Sequence, residues 1–548
     1  MNVAEIFSAG LSARGAAPAL VAGPPGRRQI IGYAELDRRS ARIAAYLRGR
    51  GLGAGDPAVV LEAMSIELYA VLLALLRIGA VPVVFDPSAG IRHIDACCEA
   101  LPPRALIAAP KAHELRLVSR GLARVPIKAS TGRAVPGAEA FPAAARCPPD
   151  ARIAPRGGGD TALVTFTSGT SGRPKGVPRT HGVLAAQLDA LAPILARPGS
   201  IDLVALPIFA LACLANGGTC LIPETGLGRP DRADGAALID QVIRHGARRV
   251  IAAPALLERL LAAERDRPRA LAGLGHVVTG GGPVFPDLIT RLERAAPGAE
   301  VTALYGSTEA EPIAWLSSSE VAMVHRARAP EDRGLGAGRI APGVRLAILP
   351  DRFGAPMPLL AAPLAHEDLE AIALAPGEPG EIVVHGPNVV AGYLDPRHDR
   401  ETKIRVGGEV WHRTGDAGYR DGEGRLWLLG RCEARSRDGD GALYPLAVEA
   451  AARARLGPRR VALATAGGRR VLVVEGPLAG AERLLSDLAW ANICEVVVVE
   501  RLPVDPRHNS KIDHRALDDM LRRRFPGRPA AGRAAARRKR GGLATQSP

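Results

Sequence analysis

The chain has 548 residues, 47% of them apolar and 3% aromatic, with a formal net charge of +15. That length asks for more than one core, and the apolar share excludes a disordered or fibrous chain. Seven cysteines, an odd number with no Cys-x-x-Cys, exclude a disulfide framework and a structural zinc site. The start, MNVAEIFSAGLSARG, has no basic region leading into an apolar core, so the expected location is a reducing cytoplasm. Tyr33 to Gly51 sets Leu36, Ile43 and Leu47 on one face and Arg38, Arg39 and Arg42 on another, the spacing of an amphipathic helix. A strand over Ala58 to Leu61, a helix over Glu67 to Ile78, a buried strand over Ala80 to Phe85, a helix over His93 to Ala100 and a strand over Ala105 to Ala108 follow. Strands alternating with helices in this way spell parallel β-α-β units. Ser130 to Pro155, rich in Pro, Ala and Gly, reads as a surface excursion. The alternating rhythm returns at Leu203, across Leu238 to Ile251, and at Val277-Val278. From Gly334 to Trp427 short strands separated by Gly, Pro and Asp read as a β-rich region. Ile66 to Phe85 is interrupted by Arg77, Gly79 and Pro82, and Leu203 to Ile222 by Pro207 and Asn216. Neither supplies the roughly 18 clean apolar residues of a membrane span. Nine positive charges lie between Arg522 and Arg540 with no acid among them. The basicity is largely that of a solvated tail able to make weak anion contacts, and the body predicts no DNA or RNA partner.

The chemistry concentrates first at Thr165 to Gly176, TFTSGTSGRPKG, directly after the strand-like Ala162 to Phe166. Thr167, Ser168, Thr170 and Ser171 add hydroxyl donors without bulk. Gly169 and Gly172 let successive backbone N–H groups converge on one anion, and Lys175 adds a point charge suited to phosphate. The loop is not the Walker type, which needs Gly directly before its Lys and Ser or Thr directly after. Farther on, Tyr305-Gly306-Ser307-Thr308-Glu309 offers a flat aromatic, a turn, two hydroxyls and a carboxylate. Such a set can stack a base, donate to a phosphate and hold a hard cation. The same residues also spell a helix cap, Thr308 to Glu311. Gly280-Gly281-Gly282 permits close backbone approach to a flat ligand or a plain tight turn.

The first loop resembles the SGSTGxPKG motif of the adenylate-forming superfamily of acyl-CoA synthetases, adenylation domains and luciferases. Four further stretches match that superfamily in order: the glycines at 280–282, Tyr305 to Glu309, Trp411-His412-Arg413-Thr414-Gly415-Asp416, and Gly430-Arg431. The resemblance implies ATP and Mg²⁺ as cofactors and an organic carboxylic acid as small-molecule partner. It implies that Tyr305 packs on adenine with Gly280, Gly281, Gly282 and Gly306 beside it. Thr308 would bond the α-phosphate, Glu309 hold Mg²⁺, Asp416 accept from both ribose hydroxyls, and Arg431 touch ribose or phosphate. Glu433 would lie at a hinge, and Lys511 would enter the site on a mobile domain to bridge carboxylate and α-phosphate. His412 reads as structural. The implied fold is α/β: a large N-terminal domain, 1–430, of β-α-β subdomains plus a β-rich subdomain, then a small mobile α+β C-terminal domain, 431–520, and a basic disordered tail, 521–548.

The second half-reaction reads differently from that of ordinary CoA ligases. Their acyl tunnel carries Pro-x-aromatic-His, where this chain has Pro207-Ile208-Phe209-Ala210, and their thiol-facing glycine is here Asp440. Pro110-Lys111-Ala112-His113, Gly441-Ala442-Leu443-Tyr444-Pro445 and Val504 to Lys511 look instead like the β-lactone synthetases of bacterial long-chain olefin biosynthesis, with Phe209 and Ala210 at the acyl pocket. Glu311 departs from that pattern, which favours an apolar residue there. The resemblance implies that the 3-hydroxyl of an adenylated 3-hydroxy fatty acid attacks its own carbonyl, with high effective concentration and no second substrate. A thioester formed with CoA or a carrier protein is the alternative, and a non-catalytic nucleotide-binding protein the alternative from another class. Enzymes of the same pathway are the protein partners to expect.

Overall fold

The computed structural model describes residues 1–24, 26–168, 174–321, 334–352, 363–438, 441–505 and 511–524. Among these, two large sheets share one interior. The first orders its seven strands as Glu139–Ala140, Ile127–Ser130, Ala105–Ala108, Pro57–Leu61, Val81–Val84, Thr161–Ser168 and Pro174–Thr180. All neighbours are parallel except the last pair, which is antiparallel. The helix Ile66–Ile78 is buried around nearly its whole circumference, as the apolar run dictates. Ser65 caps it by accepting from the Leu68 N–H, and Gly79 stops it in the left-handed conformation. Its one buried charge, Arg77, pairs with Asp37 and donates to the Ala151 carbonyl at 2.7 Å. The amphipathic helix is Tyr33–Arg48, ending just short of the expected Gly51. The Ser130 to Pro155 excursion carries only the short strand Glu139–Ala140 and the 3₁₀ turn Phe141–Arg146.

The second sheet has fourteen strands among the described residues. The edge strand Gln29–Gly32 pairs antiparallel with Pro18–Ala22, and from there the first half is parallel: Pro18–Ala22, Thr219–Leu221, Ile201–Val204, Arg249–Ala252, His276–Thr279 and Glu300–Ser307. There the chain reverses. Ser307 pairs with Ala310, so Thr308 and Glu309 form the two-residue tip of a hairpin whose second strand is Ala310–Ser317. The helix cap that the sequence also allowed at 308–311 is not formed, because these residues continue a ladder. The antiparallel half continues through Leu335–Ile340, Leu426–Arg431, Glu409–Arg420, Gly380–His385 and Arg345–Leu349.

Past Arg431 a separate core forms over Val461–Ala466, Arg469–Glu475 and Glu495–Val499, covered by the helices Pro445–Leu456 and His514–Arg524. The last helix runs through Arg524 with Leu521 2% exposed. The ordered part therefore reaches beyond residue 520, where the tail was expected to begin. The basic stretch 525–548 lies outside the described residues. No described helix is long and apolar enough to cross a membrane.

This second core docks on the first part through ion pairs. Arg453 on Pro445–Leu456 meets Asp287 at 2.6 Å and Glu258 at 3.3 Å, and its guanidinium lies 4.5 Å from the Phe285 ring centroid. Arg291 grips the same two carboxylates. Tyr444 donates to Asp351 at 2.9 Å, and Arg435 pairs with Asp351.

Candidate active site

Two anchored carboxylates define the site. Asp416 lies on Glu409–Arg420 directly opposite Arg431 on the next strand, so ladder register alone brings the pair together. Arg431 donates to Asp416 Oδ1 at 2.8 Å and to the Thr414 carbonyl at 3.0 Å. Tyr305, from the strand that leads into the hairpin, donates to Asp416 Oδ2 at 2.8 Å. Burial, with the Asp416 charge beside it, pushes the Tyr305 pKa well up, so the phenol stays a donor. The nearby Asp416 raises the Arg431 pKa against the effect of burial, which holds the guanidinium charged. A carboxylate oxygen keeps lone pairs after one such bond, so Asp416 retains acceptors for a diol.

Glu309, at the hairpin tip, is the second. Tyr393 donates to its Oε1 at 2.7 Å, and the Val390 N–H donates to its backbone carbonyl at 2.8 Å. Burial opposes its ionisation. The Tyr393 hydroxyl and the Lys403 ammonium favour the charged form and hold its pKa below the ordinary value. His412 is pushed down to about 3, by burial first and Lys403 second, and is a neutral imidazole at pH 7. Burial lowers Lys403 to about 8 against the pull of Glu309 and Asp399. Mg²⁺ takes few protein oxygens and completes its shell with water and phosphate, so one buried, ionised carboxylate fits it. Among the described residues no cluster of three or more His, Cys, Asp or Glu could hold a metal by protein alone.

Thr308 shares the tip with Glu309. Arg179, on the strand Pro174–Thr180, donates to the Thr308 carbonyl at 3.2 Å. Gln187 donates to Glu311 at 2.9 Å, so the acid that departs from the sequence pattern has a buried amide partner. Lys175 pairs in register with Thr167 at the mouth of the Ser/Thr/Gly loop, and its ammonium stands 5.9 Å from the Tyr393 ring centroid. Ser168 is described by its backbone alone. Gly169, Thr170, Ser171 and Gly172 lie outside the described residues, as does Asp440. The strand His276–Thr279 ends in Gly280, where a β-carbon would sit 2.8 Å from the Leu304 carbonyl, so glycine is needed for the backbones to approach. Gly281 follows in the left-handed region, and Gly306 lies between Tyr305 and the hairpin tip.

Phe209 and Ala210 are on the helix Pro207–Ala215, 3% and 0% exposed, packed in the main core. Glu433 is exposed in the one-turn helix Cys432–Ala434, next to Arg431. Lys511 is exposed, and its backbone pairs with that of Asp505. Its N–H donates to Asp505 Oδ1 at 2.9 Å, and its carbonyl accepts from the Asp505 N–H at 2.9 Å. Three residues on, His514 is depressed by burial and, to a lesser degree, by the charge of Arg431. Tyr393, Lys403 and Arg179 escaped the sequence reading. Each acts on a residue far away in the chain, and none stands inside a glycine- or hydroxyl-rich motif.

The sequence profile of the family described as AMP-binding enzyme matches residues 8–394. The chain is 34% identical over 517 residues to an olefin beta-lactone synthetase of Stenotrophomonas maltophilia, a match covering 89% of this chain and 90% of that protein. It is 30% identical over 508 residues to a feruloyl-CoA synthase of an Amycolatopsis species, covering 90% and 87%. Among solved structures, the amide bond synthetase McbA of Marinactinospora thermotolerans superposes with a TM-score of 0.76 at 23% identity, covering 95% and 99%.

Proposed function

The chain belongs to the AMP-binding enzymes and is an AMP-forming ligase, and from that premise we propose that it activates a 3-hydroxy fatty acid as its acyl-adenylate and closes it to a β-lactone. The observation that carries the first step is the knot of Tyr305, Asp416 and Arg431. It sets a flat ring, a diol acceptor and a cation side by side, as a nucleoside 5′-phosphate requires.

A carboxylate is a poor electrophile. In the proposed reaction one of its oxygens attacks the α-phosphorus of ATP and pyrophosphate leaves. Thr308 and Lys175 meet the charge that builds on phosphate, and Lys511 bridges the carboxylate to it. Mg²⁺ bound at Glu309 would supply further neutralisation of the phosphates. The substrate's 3-hydroxyl oxygen then attacks the activated carbonyl, the bond to the adenylate oxygen breaks, AMP leaves and the hydroxyl proton passes to solvent. The 34% identity to an olefin beta-lactone synthetase along nearly the whole chain supports this closure. So do Asp440, in place of the thiol-facing glycine, and the absence of His after Phe209. The reading also divides the chain near Arg431 into a large nucleotide-binding unit and a small one that delivers Lys511.

The identity to a feruloyl-CoA synthase favours thioester formation as a second reading. The two separate in one assay. The enzyme is given ATP, Mg²⁺ and either a 3-hydroxy fatty acid or its 3-deoxy analogue, with and without CoA, and pyrophosphate and AMP are followed. Continuous release of both from the hydroxy acid without CoA supports lactone closure, and the deoxy acid should then stop after one turnover. A strict need for CoA would move the assignment to a thioester ligase. ATP binding without any pyrophosphate would remove catalysis altogether.

A further inference from the structure

The segment between Gly380–His385 and Lys403–Val406 has no part in the sequence motifs, yet it reaches both halves of the site. Its Val390 peptide accepts Lys403 on the carbonyl and gives its N–H to the Glu309 carbonyl. Val389 bridges to Ala310. Leu394 donates its N–H to the Gly176 carbonyl at 2.9 Å, and a β-carbon on Gly176 would meet the Leu394 side chain at 2.6 Å. Between these contacts stands Tyr393, 8% exposed. Its N–H is fixed to Asp399 at 2.8 Å, and its ring is met edge-on by His398 and flanked by Lys403 and Lys175 at 5.5 and 5.9 Å. Its hydroxyl donates to Glu309 Oε1 at 2.7 Å, with the Thr402 side chain also in hydrogen-bonding contact.

We propose that Tyr393 is a positioning residue that biases Glu309 toward one-oxygen ligation and thereby favours Mg²⁺ over Ca²⁺. The inference rests on the adenylation reading. An oxygen that accepts the phenol can still take a cation, but a bidentate cation would have to share Oε1 with that donor, so Oε2 is the oxygen it takes at least cost. Mg²⁺ is small, octahedral and satisfied by a monodentate carboxylate with water and phosphate, whereas Ca²⁺ gains from a bidentate one.

The test uses the full chain with Mn²⁺ as the probe and α,β-methylene-ATP as the nucleotide, read by electron paramagnetic resonance, with Ca²⁺ added in competition. Tyr393→Phe keeps the ring and its two flanking ammonium groups. It should weaken Mn²⁺ binding by about tenfold, the scale typical of losing an outer partner of a metal ligand. Ca²⁺ should weaken less, so that the Mn²⁺-to-Ca²⁺ preference falls. If Tyr393→Phe melts early, 2,3,5-trifluorotyrosine at 393 serves in its place, since it preserves shape and strengthens the donor, and the preference should rise. An unchanged preference in the folded Phe variant, or in the fluorinated one, would overturn the proposal. Glu309→Gln separates the two levels. Loss of Mn²⁺ there with no effect at Tyr393 ends this inference alone, and unchanged Mn²⁺ there ends the assignment of Glu309 and this inference with it.

Discussion

Two of the cations proposed for the site, Arg431 and Lys511, are placed by opposite means. Arg431 faces Asp416 across neighbouring strands, so its position follows from ladder register and is shared with Tyr305. Lys511 is exposed in the part of the chain that forms a separate core, and that core is seated by side-chain ion pairs at Arg453 and by Tyr444 on Asp351. The difference teaches which parts of the site are built once at folding and which depend on a joint. A residue set by register cannot leave without breaking a sheet, whereas a residue carried on a polar interface can be moved by changing a few charges.

The comparison is broken most severely at Lys511. Lys511→Ala should lower the rate of pyrophosphate release by about 10²- to 10³-fold, the scale of removing one preorganised charge from a transition state. ATP affinity measured by calorimetry should stay within about twofold, since the ribose end is untouched. A normal rate would show that the joint delivers nothing. Asp416→Asn comes next. It keeps the shape but removes the charge-assisted bonds to Arg431 and to a diol, and should raise the KM for ATP by about 10- to 100-fold with a smaller change in kcat. An unchanged KM would detach Asp416 from the nucleotide.

Arg453→Met sharpens the contrast. It strips the joint of its partly buried ion pairs at a cost of about 1–3 kcal/mol, between the surface and buried limits. Small-angle scattering should show a more open particle and adenylation should slow several-fold, while ATP affinity holds. If scattering and rate both match the parent, the seat is held elsewhere. The smallest effect lies inside the second core, at Glu449. Burial raises its pKa from 4.5 to about 8, against the Leu463 N–H that it accepts. The folded form therefore holds a proton that the unfolded form has released between those values. Stability falls as pH rises through that window and levels off above it. Glu449→Gln keeps the acceptor without the charge, so the melting temperature should drop less between pH 5 and pH 8.5 than in the parent. Equal drops would mean that Glu449 is not the group responsible.

How much of this was readable in the chain depends on distance. Lys175, the Thr308-Glu309 pair, Asp416 and Arg431 announce themselves because loops and tight turns need particular residues side by side. The parallel units were legible from alternation, and the strand Ala105–Ala108 agrees residue for residue. The Thr308 to Glu311 stretch was ambiguous because a cap and a hairpin tip use the same residue types, and only the partner strand decides between them. Tyr393 and Arg453 were not legible. Their partners Glu309, Asp287 and Glu258 lie far off in the sequence, and a lone Tyr or Arg carries no local signature.

In the proposed reaction one carboxylate oxygen passes to AMP while the substrate's own hydroxyl closes the ring. A 3-hydroxy fatty acid carrying ¹⁸O in both carboxylate positions tests this directly, with ATP, Mg²⁺ and no CoA, read by mass spectrometry of both products. One label is expected in AMP and one in the carbonyl of a β-lactone. Unlabelled AMP, or no AMP until CoA is supplied, would contradict it.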